Sequence, residues 1–528
     1  MSIHRNAITL NGSLQGRGAG GGVAMCAGSD NYLVSQNFIC GNFNLGDGGG
    51  IGHLGLSTPG QIEFNQILFN QTFNQGLNRS GGGIAIAGEP PAAPAALTLG
   101  AGNVTVDANL IQGNQAGSGH GGGIRTQRVN GRDVELSPQE INWYQVTITN
   151  NMIVNNVAGW SGGGISLQDT AVSSILFNTI ANNDSTATVG ALLDEPNATT
   201  PKPAGISSER HSPGLDAVLP SGGQSRRGFS NPDLAQNIVW HNRAFSYDAT
   251  TGPPRLVPVL DQTAVGDCPA GAEYWDLGVL DPGFELKPRF SILTVATGDN
   301  ISEDPQFLSE YCNGARVLRV PDAGTTMQVA SEVTEGGNFI DVRFGPLTPF
   351  GNYHIADTSP AVNPCGGGAL ASVDHDFDNE GRPPEQPDWG ADEVPYLLGG
   401  VVDYSSGAFG GVLIGTTATL TITATVSVAP VTFFSSTDPA APFAKTADTC
   451  AGTTVPVGGT CTFTVTFSPT SGTTSSGSFD VFNDALCSPQ TVDLSGKGIG
   501  GVVTFSSGAF GEVTIGTTAT LTITATVS

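Results

Sequence analysis

Positive charge is scarce in this chain. Of 528 residues only 20 are Lys or Arg, against 46 Asp or Glu, for a formal net charge of −26. Nucleic acid is thereby excluded as a partner, because its phosphates demand a Lys/Arg surface. Anionic membrane surfaces are disfavoured for the same reason. Long apolar runs are missing as well, so no segment reads as a transmembrane helix. The first residues, MSIHRNAITLNG, lack the apolar stretch of a signal peptide. Helical periodicity is almost absent, which predicts an all-β protein. None of the eight cysteines forms a Cys-x-x-Cys pair, so zinc knuckles and thioredoxin-type chemistry are not expected. No Gly-x-Ser-x-Gly elbow, Walker loop, His-Glu-x-x-His or dinucleotide fingerprint occurs.

What the sequence does contain is a repeat. Seven times in the first 242 residues an asparagine is followed five places later by another, starting at Asn6, Asn37, Asn65, Asn109, Asn151, Asn178 and Asn237. An aliphatic residue sits two places after each start: Ile8, Ile39, Ile67, Ile111, Ile153, Ile180 and Val239. After each of the first five copies comes a triple glycine and then Val23, Ile51, Ile84, Ile124 or Ile165. A fixed core with elastic spacers predicts one coil, repeated and stacked. Successive copies start 31, 28, 44, 42, 27 and 59 residues apart, and the surplus reads as loops such as 88–103 and 126–143. Alternation at Val104-Thr-Val106, Val146-Thr-Ile148 and Ile84-Ala-Ile86 predicts strands with one buried face. The aliphatic ladder should point inward. The asparagines should turn corners in left-handed backbone conformations and bond from coil to coil.

The combination of SGGGI at 80–84 and 161–165 with Asn-rich apolar segments such as FNQ at 69–71 resembles the right-handed parallel β-helix of the pectin-lyase-like superfamily, in its bacterial surface-protein branch. Asp304-Pro-Gln-Phe307, Gly351-Asn-Tyr-His354, Ser359-Pro-Ala-Val-Asn363 and Asp388-Trp-Gly-Ala-Asp-Glu393 resemble the closing segment of choice-of-anchor Q proteins. That resemblance implies a segment finishing the last coils and covering the open end. Thr/Val/Phe alternation at 420–427 and 461–469, closed by VDLSGKG at 492–498, resembles the immunoglobulin-like module of choice-of-anchor D proteins, of the ASPM–SPD-2–Hydin type. The expected organisation is β-helix repeats over 1–250, terminal coils and cap over 251–398, an Ig-like sandwich over 399–498, and the start of a second sandwich over 499–528. Residues 401–427 recur almost letter for letter at 502–528. This suggests a fragment of an exported protein whose export signal lies upstream. Cys450 and Cys461 flank a ten-residue turn-rich segment and are expected to be bonded. Cys26–Cys40 and Cys268–Cys312 are plausible further pairs, and Cys365 and Cys487 have no evident partner.

The resembled pectinases imply Asn-x-Asp, Asp-Asp, Gly-His-Gly and Arg-x-Lys signatures. Only Gly119-His120-Gly121 among the last three is present, and no catalytic residue is expected. Glu63, Asp107, Asp169 and Asp184 are isolated in sequence, though stacking could bring Glu63, Asp107 and Asp169 together. The loop 125–143 mixes charges with an aromatic, making Arg125, Arg128 and Trp143 the candidate sugar-binding residues. Asp374, Asp376, Asp378 and Glu380 alternate in a way that suits oxygen ligation of Ca²⁺, the one cofactor the sequence suggests. The expected function is adhesion to a polysaccharide or a host or neighbouring cell surface, without catalysis. The alternative is a polysaccharide lyase or glycoside hydrolase.

Overall fold

The computed structural model describes all residues except 14–17, 75–77, 94–95, 190–196, 221–225, 262–263, 265, 315–316, 320–340, 344–350, 363–372, 384–386, 395–399, 486–487, 502 and 528. Asn363, Cys365 and Cys487 lie outside the described residues. Two compact units result, Met1–Val394 and Pro395–Ser528.

The first unit is a parallel β-helix. Its second coil shows the plan, with strands Tyr32–Ser35, Phe38–Cys40, Phe43–Asn44 and Ile51–Leu54. Seven coils repeat it and build four parallel walls of seven, eight, seven and seven strands; the extra strand of the second wall is Ile292–Leu293. Ile8, Ile39, Ile67, Ile111, Ile153, Ile180 and Val239 stand in register along the second wall. All but Ile8 are buried, as the spacing predicts.

The asparagines form two ladders. Asn70 Oδ1 accepts from the backbone N–H of Asn42 at 3.0 Å and from its Nδ2 at 2.8 Å, while Asn70 Nδ2 donates to Asn114 Oδ1 at 3.0 Å and to the carbonyl of Ile39 at 2.9 Å. Each buried amide is thereby satisfied by the coils on either side. The ladders end where the repeat does. Ser291 accepts from Asn237, and Asp276 accepts from Asn242. One expectation needs correction. The left-handed residue is the one before each ladder asparagine, as at Gln36, Phe64, Phe69, Ala108, Phe177 and His241. The asparagine stays outside that region because its amide must reach along the stack, and its bonds hold the strained neighbour in place. At the triple glycines, a Cβ on Gly49 would collide with the carbonyl oxygen of Gly82, so the corner admits no side chain.

Loops leave the walls and pack on one another. The excursion after the fourth coil carries the helix Arg132–Leu136, and that after the sixth carries Pro213–Val218. Val134 and Trp143 of the first meet Leu215 and Leu219 of the second. Leu277–Val279 and Ile292–Leu293 continue the fourth and second walls, and the described part of the closing segment lies along the side of the stack. Tyr353, Ile355, Trp389 and Ala391 pack on Met152, Val154, Ala181, Ile238 and Trp240, which face outward from the second wall. From the fourth coil onward that wall presents apolar residues outward as well as inward, and the returning chain covers them.

Of the cysteines, Cys268–Cys312 and Cys450–Cys461 are bonded, whereas Cys26 and Cys40 are free. The last two stand on different walls, the fourth and the second, which rules out the Cys26–Cys40 pair.

The second unit contains an antiparallel sandwich. One sheet holds Val401–Tyr404, Ala418–Ser427, Thr460–Phe467 and Phe443–Asp448, and the other holds five strands, among them Val431–Ser436, Thr474–Asn483 and Gln490–Ile499. Ile422, Phe433, Phe463, Phe467 and Phe479 fill the space between them.

Candidate functional site

Three places on the β-helix bring polar side chains together. The first is the outer face of the fourth wall. Period-two alternation turns Ile124 and Thr126 inward, so Arg125 faces out, in register with Ser166. Arg125 Nη1 bonds Glu209 at 2.5 Å and Ser166 Oγ at 2.6 Å, and Nη2 donates to Gln168 at 3.0 Å. Glu209 also lies 3.4 Å from His120 Nδ1, and Ser161 Oγ lies 2.9 Å from that same nitrogen. Serine and glutamate therefore compete for one ring atom, whereas a nucleophilic triad needs them on opposite nitrogens. Burial pushes His120 down to about 4, so the ring is neutral at physiological pH. Burial alone would raise the Glu209 carboxyl; Arg125 and the His120 ring outweigh it and hold it below the usual carboxylate range. Arg125 is almost fully buried in this network. Arg128 donates from Nε to the carbonyl of Gly88 at 3.1 Å, and Trp143 is buried between the two excursions with Nε1 on the carbonyl of Ser137. Arg125, Arg128 and Trp143 thus sit in one region but do not form an open surface together.

The second place is the acidic turn. Asp376 is fully buried; its Oδ1 accepts the amides of Asp378 at 3.0 Å and Glu380 at 2.7 Å, and its Oδ2 accepts that of Glu393 at 2.9 Å. Asp374 bonds His375 Nδ1 at 2.9 Å, and Glu380 is exposed. Among the described residues, only Asp378 of the four belongs to a group of ligand-type side chains whose atoms lie within 4.8 Å of one another, and its companions are His354 and Asp392. His354 and Asp392 lie in the sequence motifs 351–354 and 388–393, where an alternating acidic pattern could not flag them.

His375 fastens this turn to the coils. Its Nε2 lies 2.7 Å from Asp107 Oδ2 on the first wall. Stacking does bring Glu63 and Asp107 into register on adjacent coils, while Asp169 follows a strand of the fourth wall. Burial and then the Asp107 charge raise the Glu63 carboxyl, with His375 acting against them.

The third place is a cleft of about 460 Å³ lined by Thr200, Lys202, Ala244, Glu273, Tyr274 and Trp275, among others. Trp275 is 41% exposed although its Nε1 bonds the carbonyl of Leu277. Tyr274 stacks on His241 with ring centroids 4.6 Å apart, and the Lys202 ammonium lies 4.7 Å from the Trp160 ring. The sequence signal for this cleft was the pair Tyr274-Trp275 in a chain with only five tryptophans.

No family profile and no curated protein sequence matches the chain. Among solved structures it shares a limited likeness with the VesB protease of Vibrio cholerae, at 17% identity over 18% of this chain and 30% of that one with a TM-score of 0.16. A protein of unknown function from Porphyromonas gingivalis W83 aligns at 16% identity over 20% of this chain and 51% of that one, with a TM-score of 0.17. The ASH/PapD-like domain of human CEP192 aligns at 16% identity over 20% of this chain and 91% of that one, with a TM-score of 0.16. The chain thus spans less than a third of VesB, and scores this low carry no statement about activity.

Proposed function

We propose that the chain is an extracellular, non-catalytic recognition protein of bacterial surface type, whose coil stack binds polysaccharide in the cleft at Trp275. The observation that carries this reading is the cleft itself. It falls within the size range of small-ligand sites and pairs an exposed indole with both signs of charge, Lys202 and Glu273. An aromatic face beside convergent polar groups suits a sugar ring, which has apolar faces and a polar rim. The charged network at Arg125 is committed to internal bonds, which moves recognition away from the loop 125–143. Two disulfides support an oxidising compartment. In titrations of the whole chain with neutral and acidic oligosaccharides, followed by tryptophan fluorescence, Trp275→Ala should abolish saturable quenching while Trp143→Phe leaves it. Equal binding by the Trp275 variant would sink the reading.

One observation favours the second reading, polysaccharide cleavage. Glu63 and Asp107 are carboxyls on adjacent coils, and the Glu63 carboxyl is raised, as a general acid requires. Reducing-end release that disappears in Glu63→Gln would establish the enzyme.

A further inference from the structure

We infer that His354, Asp378 and Asp392 form a binding site for one divalent cation of the manganese-to-zinc series. Three separate pieces of chain converge there. His354 lies on the strand Asn352–Ile355, Asp378 on the acidic turn, and Asp392 on the segment that ends at Val394. One ring nitrogen and two carboxylate oxygens from them lie within 4.8 Å of one another.

The ring is set up by a group outside the cluster. Asn352 Oδ1 lies 2.5 Å from His354 Nδ1, and an amide oxygen can only accept. Nδ1 therefore carries the proton, and Nε2 is the atom turned to the carboxylates, 2.8 Å from Asp378 Oδ2 and 4.0 Å from Asp392 Oδ1. This is the arrangement that orients a metal-binding histidine, with its far nitrogen held by an outer acceptor. Asp392 is held too, because its Oδ2 accepts the amide of Ile355 at 2.8 Å and leaves Oδ1 for the site. Behind the turn, Asp376 holds three backbone amides, and Arg382 bonds Glu393 at 3.0 Å. These bonds hold the frame, while Asp378 at its rim is half exposed.

Distances fit a small cation. Ligand atoms about 2.0–2.1 Å from a tetrahedral ion stand roughly 3.3 Å apart. The His354–Asp378 pair at 2.8 Å opens slightly and the His354–Asp392 pair at 4.0 Å closes slightly to reach that value. An imidazole with two carboxylates suits the manganese-to-zinc series; calcium prefers six to eight oxygens, and the alternating acidic residues do not converge to supply them. Water completes the shell on the exposed side. The bound ion cross-links strand, turn and closing segment, locking the returning chain onto the second wall.

The test uses the whole chain after treatment with EDTA. Isothermal titration with Zn²⁺ and electron paramagnetic resonance with Mn²⁺ should give one ion per chain, with nitrogen coupling in the manganese signal. Asp378→Asn, at an exposed position, should weaken binding at least tenfold, and His354→Gln should remove the nitrogen coupling. Asp374→Asn, whose side chain is 96% exposed and outside the cluster, should leave the affinity for the ion unchanged. Absence of saturable binding in the unaltered chain would overturn the proposal. So would affinity unchanged by Asp378→Asn, or Ca²⁺ binding abolished by Asp374→Asn, which would place the ion on the alternating acidic residues.

Discussion

Ile422 and Ile523 hold the same place in a 27-residue stretch that occurs twice, 101 residues apart, with only four differences. Ile422 is fully buried, whereas Ile523 is 54% exposed. The local hairpin is reproduced: Val402 pairs Val426 in the first copy, and Val503 pairs Val527 in the second. What differs is the rest of the sandwich. Ala418–Ser427 also pairs with Thr460–Phe467, and Phe433 and Phe479 lie across from it. Among the described residues, the second copy shows only the pairing of Val503–Phe505 with Ala525–Val527. Alternation thus makes a strand ready for burial, and pairing partners distant in sequence accomplish it. The coil stack repeats the lesson. Ile8 in the first coil is only partly buried, whereas Ile39 and Ile67, each between two coils, are fully so.

The largest test gives the second copy the partners that the first has. Extending the chain beyond Ser528 with a copy of residues 428–498 should bury Ile523 and add a cooperative unfolding transition of about 5–15 kcal/mol, the range of an ordinary domain. Hydrogen exchange at 518–527 should then slow to match that at 417–426. Continued fast exchange would show that the four differences, Gly411 against Glu512 among them, and not the partners, separate the two copies.

Next in size is the contrast between interior and end of the stack. Ile153→Asp places a carboxylate between two coils with no partner and should cost on the order of 5 kcal/mol, enough to unfold the β-helix while the sandwich persists. Ile8→Asp, at the partly buried end, should cost about 1 kcal/mol or less, because the charge can reach water. Thermal melts read by circular dichroism separate the two; equal losses would mean that all coils melt as one block.

The ladders offer a smaller version. Asn114→Ala strands the backbone N–H of Asn70 and the carbonyl of Ile67, and should cost about 1–3 kcal/mol. Asn11→Ala should cost less, since Asn11 is exposed and, among the described residues, its Nδ2 donates to Asn42 alone. Denaturant midpoints of the two variants give the comparison directly.

These contrasts also show why some of the molecule was legible in sequence and some was not. The coils were legible because each wall repeats one register, so Ile153 and Asn156 have counterparts in every copy. The left-handed residue before each asparagine was hidden, since Gln, Phe, Ala and His all occupy it. Trp143 looked like a surface aromatic because the residues that bury it, Leu215 and Leu219, come more than 70 positions later. The Arg125–Glu209 pair spans 84 residues and two coils. Spacers of variable length erase any fixed offset by which such partners could be found. The route of the closing segment was hidden for a similar reason: nothing within 351–394 states which wall it will cover.

The smallest effect concerns the fastening of that segment. The ladders carry no titratable link until Asp276, whereas the acidic turn is held through His375 between Asp107 and Asp374. Burial acts to lower the ring's pKa, but the bonds and charges of Asp374 and Asp107 outweigh it and raise it above the ordinary value of about 6.5. Glu63 adds negative charge nearby, and Arg382 touches only the His375 carbonyl. A raised pKa means that the folded state binds the proton more tightly than the unfolded chain does. The stabilisation is therefore complete below about pH 6.5 and disappears as pH rises through the folded value. The ring is partly exposed, so solvent screens the effect and it stays small. Limited proteolysis of 373–382 should accelerate modestly between about pH 6 and pH 9. His375→Gln should flatten that dependence, while the coil ladders keep their protection throughout. A turn that loosens instead on acidification would show that the carboxylates, not the imidazole, govern the attachment.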